Sequence, residues 1–115
     1  MITQKIAFAN PIDTEIMETI INATCVHYGV SEEELLRAGR AAATPRQVCY
    51  FLILKNTALT DRNVGARFGK SRTAVRHGAD QVSIQQHIFP DIKRTIPAIL
   101  RLSNSSKKIH EWHLQ

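Results

Sequence analysis

Residues 65–71 read Gly-Ala-Arg-Phe-Gly-Lys-Ser, and two chemistries share that pattern. In a phosphate-binding nucleotide loop, glycine-rich backbone amides wrap the phosphates and a lysine reaches the terminal ones. That loop needs four residues between its glycines, and only Ala66, Arg67 and Phe68 separate Gly65 from Gly69. It also follows a buried strand, whereas Leu59 to Val64 (LTDRNV) is polar and lacks strand alternation. What remains is the bend between two helices. A small residue, Gly65, lets them cross closely, Gly69 makes the turn, and Val64, Phe68 and Val75 lock the angle from fixed offsets.

The helix after the bend carries the chemistry. On a wheel anchored at Val75, residues Ala79, Val82 and Gln86 share the inward face, while Thr73, His77 and Asp80 point away with Arg72 and Arg76 beside them. Arginine bridges two acceptors on a guanine edge, and threonine offers a hydroxyl and a methyl. Lys70 and Ser71 lie where phosphates approach a helix N-terminus. Asp80 limits contact to the first two turns, because a carboxylate is repelled by the nucleic-acid backbone unless it accepts from a cytosine. The outward set is therefore Lys70, Ser71, Arg72, Thr73, Arg76 and His77. An ordinary helical hairpin needs the same apolar lock and gives no reason for the basic residues.

Every periodic segment that must position this set reads as helix. Ile12, Ile16, Ile20 and Thr24, with Met17, Ile21 and Val26 beside them, predict an amphipathic helix closed by Gly29. Ser31 and Glu34 form a capping box for a short helix closed by Gly39. Residues 48–54 (VCYFLIL) fit a buried strand equally well, but Thr44 as cap and Pro45 at the first helical position favour a central helix apolar on most sides. Thr60 caps the helix ending at Phe68, and Ser71 caps a long one to about Ile88. Ile84, Ile88 and Phe89 are expected to pack on the C-terminal segment or to meet a partner protein. Pro97 is expected to split that segment in two, and residues 103–115 to fray as a flexible tail. The fold class is all-α: one domain over residues 1–102, of five to six helices, containing a helix-turn-helix.

Charge sharpens the reading. The chain of 115 residues carries a formal net charge of +5, yet residues 1–36 hold one Lys against six acids, and residues 37–115 hold fourteen bases against four. Between Arg37 and His77 stand nine Lys or Arg and a single acid, Asp61. Such a patch draws phosphate polyanions by counterion release, although a solvated basic face has the same composition.

The pattern HYGVSEEELLRAGR, then PRQ opening an apolar helix, then LTDRNVGARFG and a basic helix, resembles the C-terminal DNA-binding domain of the bacterial replication initiator DnaA over about residues 14–88. The resemblance implies a helix-turn-helix in the major groove and a basic loop reaching the adjacent minor groove. By it, Arg72 and Thr73 read bases, Arg46 and Gln47 grip phosphate, and Arg37 or Arg40 enters the minor groove. The family's recognition segment usually runs Gly-Gly-Arg-Asp-His-Thr-Thr after Phe, whereas this chain has GKSRTA, one residue shorter, so sequence preference does not carry over. The resemblance does not extend to the family's ATPase domain, so this chain is expected to bind duplex DNA without unwinding it by that route.

Other chemistries are excluded on spacing. Two cysteines, Cys25 and Cys49, lie in apolar runs and suit a reducing cytoplasm. Five histidines occur without any Cys-x-x-Cys pair, so no metal or cofactor is expected. Nothing marks a nucleophile with an oriented base, so no enzyme is expected. Trp112 is expected to dock the tail. No run reaches a membrane span, and the start lacks a signal peptide's basic and apolar segments. The expectation is a cytoplasmic, nucleoid-associated protein that regulates or assists replication or transcription through double-stranded DNA. An adaptor that keeps the scaffold and offers Ile84, Ile88 or its C-terminal segment to a protein is the alternative.

Overall fold

The computed structural model describes residues 10–37, 39 and 43–114, with side chains as far as residue 104. These residues form six helices and no strand: α1 (Pro11–Tyr28), α2 (Glu32–Leu36), α3 (Ala43–Asn56), α4 (Asp61–Phe68), α5 (Arg72–Gln85) and α6 (Pro90–Leu114). The architecture is all-α around a central α3, which packs on α5 on one side and α1 on the other, with α6 lying along α1.

Local chemistry sets each boundary. Asn10 caps α1 by accepting from the Ile12 amide at 2.8 Å, and Gly29 ends it in the left-handed region at φ 66°. The capping box of Ser31 and Glu34 is complete, each side chain 3.1 Å from the other's amide. That helix ends at Leu36 with Arg37 as its cap, short of the expected Gly39. Helix α3 starts at Ala43, so Thr44 and Pro45 lie in its first turn instead of at the cap and the first position. A proline costs little there, since first-turn amides have no partner within the helix.

Helix α3 is apolar on most sides, as its sequence demands: Val48, Cys49, Tyr50, Phe51, Leu52 and Ile53 are all buried. Full burial of a Val, Leu or Ile stabilises by about 2 kcal/mol relative to exposure, so this segment anchors the core. On α1 the buried stripe is Met17, Ile20, Ile21, Ala23 and Thr24. Ile12, expected in the stripe, and Val26, expected beside it, are exposed: Ile12 lies in the first turn and Val26 a half-turn away from Thr24.

Pro97 does not divide the C-terminal segment. Helix α6 passes through it without interruption. The proline faces solvent, where the carbonyl it leaves unpaired meets water. Meanwhile Ile92, Ile96, Ile99 and Leu100 pack into the core, and the buried Ser103 hydroxyl donates to the Ile99 carbonyl at 3.1 Å. Packing of one face thus carries the helix past a residue that opposes it. Helix α5 stops at Gln85, earlier than expected, and Ile84, Ile88 and Phe89 around its end are exposed instead of packed on α6. Trp112, His110 and His113 lie beyond the described side chains.

Candidate nucleic-acid interface

The bend between α4 and α5 is built as its residue types require. Thr60 caps α4 by accepting from the Asn63 amide at 3.1 Å, and Asn63 Oδ1 accepts from the Thr60 amide at 3.0 Å. Gly69 closes α4 at φ 66°. At Gly65 a methyl group has no room: a Cβ there would lie 2.5 Å from the Lys70 carbonyl oxygen. The Gly65 carbonyl in turn accepts from the Lys70 amide at 2.9 Å, so the two helices cross with their backbones in contact. Val64, Phe68 and Val75 are buried beneath the crossing. Phe68 meets Tyr50 of α3 edge to face, with ring centroids 5.0 Å apart.

Helix α5 is thereby held by one face. Val75, Gly78, Ala79 and Val82 point inward. Arg72, Thr73, Arg76, His77 and Asp80 are exposed, as the wheel requires. Ser71 is exposed as well, and its hydroxyl oxygen caps the helix: it accepts from the Ala74 amide at 3.1 Å. What the N-terminus offers a phosphate is the backbone amides of the first turn, the Ser71 O–H, which capping leaves free to donate, and Lys70, which is half-buried. Lys70 and Arg72 form no ion pair among the described residues. Arg76 is steered by two carboxylates, Asp61 at 3.7 Å from the start of α4 and Asp80 at 3.9 Å one turn on. Asp61 is a contributor that sequence spacing did not reveal, because it lies 15 residues away across the bend.

Gly78 was missed for the opposite reason. A glycine inside a helix signals close approach, and here a Cβ would lie 3.0 Å from both Gln47 Cγ and Tyr50 Cδ2. The approach brings Gln47, half-buried, against the middle of α5.

The remaining basic residues divide sharply. Arg37 is exposed, and among the described residues its side chain makes a long contact with Glu33, 3.4 Å. Arg40 lies outside the described residues. Arg46, expected to grip phosphate, is buried, and its guanidinium donates to the carbonyls of Leu35 at 3.3 Å, Arg37, and Gly39 at 2.9 Å. One planar fork of donors thus reaches carbonyls in the last turn of α2 and just beyond it. Arg67, in the middle of the bend motif, is likewise spent. Its Nε and Nη2 donate to Glu18 of α1 at 2.7 and 2.9 Å, and Nη2 meets Glu32 of α2 at 3.1 Å. Hydrogen bonds to Glu18 and Glu32 hold this guanidinium protonated above its already high ordinary range. The acidic N-terminal third and the basic remainder therefore meet on the back of the motif.

An all-helical domain whose second crossing helix projects a basic, hydroxyl-bearing face is a helix-turn-helix protein. Comparison with known proteins makes the class specific. A family model described as "Bacterial dnaA protein helix-turn-helix" matches residues 17–82, and the chain belongs to that family. Among curated relatives, the chromosomal replication initiator protein DnaA of Thermomicrobium roseum is 31% identical over 85 residues, 71% of this chain and 18% of that protein. DnaA of Caulobacter sp. strain K31 is 31% identical over 88 residues, 74% of this chain and 18% of its own length. DnaA of Caulobacter vibrioides strain NA1000 is 35% identical over 69 residues, 57% of this chain and 14% of its own. The match thus spans less than a fifth of each of these relatives. Among the described residues no helix is long and apolar enough to cross a membrane.

Proposed function

We propose that this chain binds double-stranded DNA with α5 in the major groove and discriminates sequence through Arg72, Thr73, Arg76 and His77. The observation that carries the reading is the segregation on α5: its apolar face is locked under the bend, and its opposite face presents those four side chains to solvent. Lys70 and the first-turn amides contact a phosphate and fix the register, while the exposed side chains read base edges. Arg37 or Arg40, from the loop between α2 and α3, reaches the adjacent minor groove. Family membership supports this arrangement, and the protein's role is that of a regulator or accessory of replication or transcription, associated with the nucleoid.

The test is a titration of two labelled duplexes, one with the initiator family's recognition box and one scrambled, followed by fluorescence anisotropy at two salt concentrations. Tighter binding to one duplex that persists at the higher salt is the expected result. Equal binding that disappears with salt would reduce α5 to a basic surface. No binding to either duplex would overturn the reading and turn attention to the exposed Ile84, Ile88 and Phe89 as the functional face.

A further inference from the structure

Arg76, on the face that α5 turns to solvent, stands between two carboxylates: Asp61 Oδ2 lies 3.7 Å from its Nε, and Asp80 Oδ1 lies 3.9 Å from its Nη1. Both distances exceed a hydrogen bond, so the carboxylates act on the guanidinium by charge and leave its N–H groups free to donate elsewhere. Exposed pairs of this kind add little to stability. Their consequence is for whatever approaches Arg76.

The two carboxylates come from different helices. Asp80 is exposed, lies one turn on along α5 and moves with Arg76. Asp61 is half-buried and is the first residue of α4, on the far side of the bend. Its place relative to Arg76 is set by the close crossing of the two helices, where the Gly65 carbonyl accepts from the Lys70 amide at 2.9 Å. The lock that aims α5 therefore also places a fixed negative charge beside one of its arginines.

A duplex offers an arginine two kinds of acceptor. Phosphate oxygens are anionic, whereas O6 and N7 on a guanine edge are neutral. Carboxylates on two sides of Arg76 repel the first kind and leave the second unopposed.

We propose that Asp61, with Asp80, is a positioning residue that reserves Arg76 for a guanine edge by opposing its capture by phosphate. This rests on the DNA-binding reading above and assigns it a base. Specificity is a difference between affinities, and a penalty on the wrong contact raises it as surely as a gain on the right one.

The experiment presents a pool of duplexes, randomised over the binding footprint, to the wild type, Asp61→Asn, Arg76→Ala and the double variant, and counts the bound sequences. Asp61→Asn keeps the size and shape of the side chain. Asp80→Asn, at an exposed position, is run beside it and carries the test if Asp61→Asn does not fold, as judged by thermal unfolding in circular dichroism. Arg76→Ala is expected to flatten a guanine preference at one position. Each aspartate variant is expected to lower guanine enrichment there about fivefold and elsewhere less than about twofold, and Asp61→Asn to change nothing there once Arg76 is alanine. Removing a negative charge raises affinity for every duplex alike, so base enrichment is the readout. Unchanged enrichment in an aspartate variant that folds, a loss spread over all positions, a loss that persists without Arg76, or an Arg76→Ala variant that keeps every preference would overturn the proposal and leave DNA binding in place. A wild-type chain that retains no duplex would overturn both.

Discussion

Two arginines five residues apart on either side of the Gly69 turn show how differently one motif uses the same side chain. Arg67, on the back of α4, is clasped by Glu18 and Glu32 at 2.7 and 3.1 Å and is three-quarters buried. Arg72, on the front of α5, is exposed and forms no ion pair among the described residues. The back of the motif uses charge to fasten α4 to α1 and α2, and the front keeps it for a ligand. A count of basic residues between Arg37 and His77 does not distinguish these uses, since Arg46 and Arg67 are spent inside the protein. The surface available to a polyanion is smaller, and more concentrated on α5, than composition implies.

Variants break this division in order of size. Gly65→Ala places a methyl group 2.5 Å from the Lys70 carbonyl oxygen, so front and back fail together. A loss of about 3 kcal/mol in stability is expected from denaturant unfolding, because backbone cannot yield as a side chain does. Arg72→Ala leaves stability within about 0.5 kcal/mol, as an exposed substitution should. It removes about 2 kcal/mol of affinity for the preferred duplex and less for others, so anisotropy shows preference flattening. Arg67→Ala has the reverse signature: about 1 kcal/mol of stability is lost, an ion-pair value discounted for partial exposure, and duplex affinity per folded molecule is unchanged.

The smallest effect belongs to the core behind the back face. Burial pushes the Cys49 thiol up to about 12. A raised pKa in the folded state means that the native protein holds its proton where the unfolded chain releases it. The contribution is therefore complete below the ordinary thiol range and is lost as pH climbs from there toward about 12. Thermal unfolding at pH 8 and pH 10 should show the decline, and alkylation under native conditions should label the half-buried Cys25 well before Cys49.

Much of this was legible in the residues, for identifiable reasons. Caps and turn glycines act over three or four residues, so Ser31 with Glu34, Thr60, Gly69 and Ser71 could be read directly, as could the inward and outward faces of α5. Long-range packing could not. Pro97 reads as a break until Ile96, Ile99 and Ser103 are seen held in the core, and Ile84, Ile88 and Phe89 read as packed on the C-terminal segment or on a partner until α5 ends at Gln85 and leaves them exposed. The same limit governs the interface. Lys70, Arg72, Thr73, Arg76 and His77 follow from local geometry, whereas the burial of Arg46 depends on where the α2–α3 loop passes, and the loss of Arg67 to Glu18 depends on a helix 49 residues away. Sequence shows where charge is placed along a helix, and only the fold shows which charge has been answered.

The most direct test of that division is the salt dependence of duplex affinity for Lys70→Ala and Arg67→Ala measured beside the wild type. Each phosphate contact contributes about one to the slope of log affinity against log salt. The account predicts a slope shallower by about one for Lys70→Ala and an unchanged slope for Arg67→Ala. Equal reductions in both variants, or a reduction in Arg67→Ala alone, would contradict it.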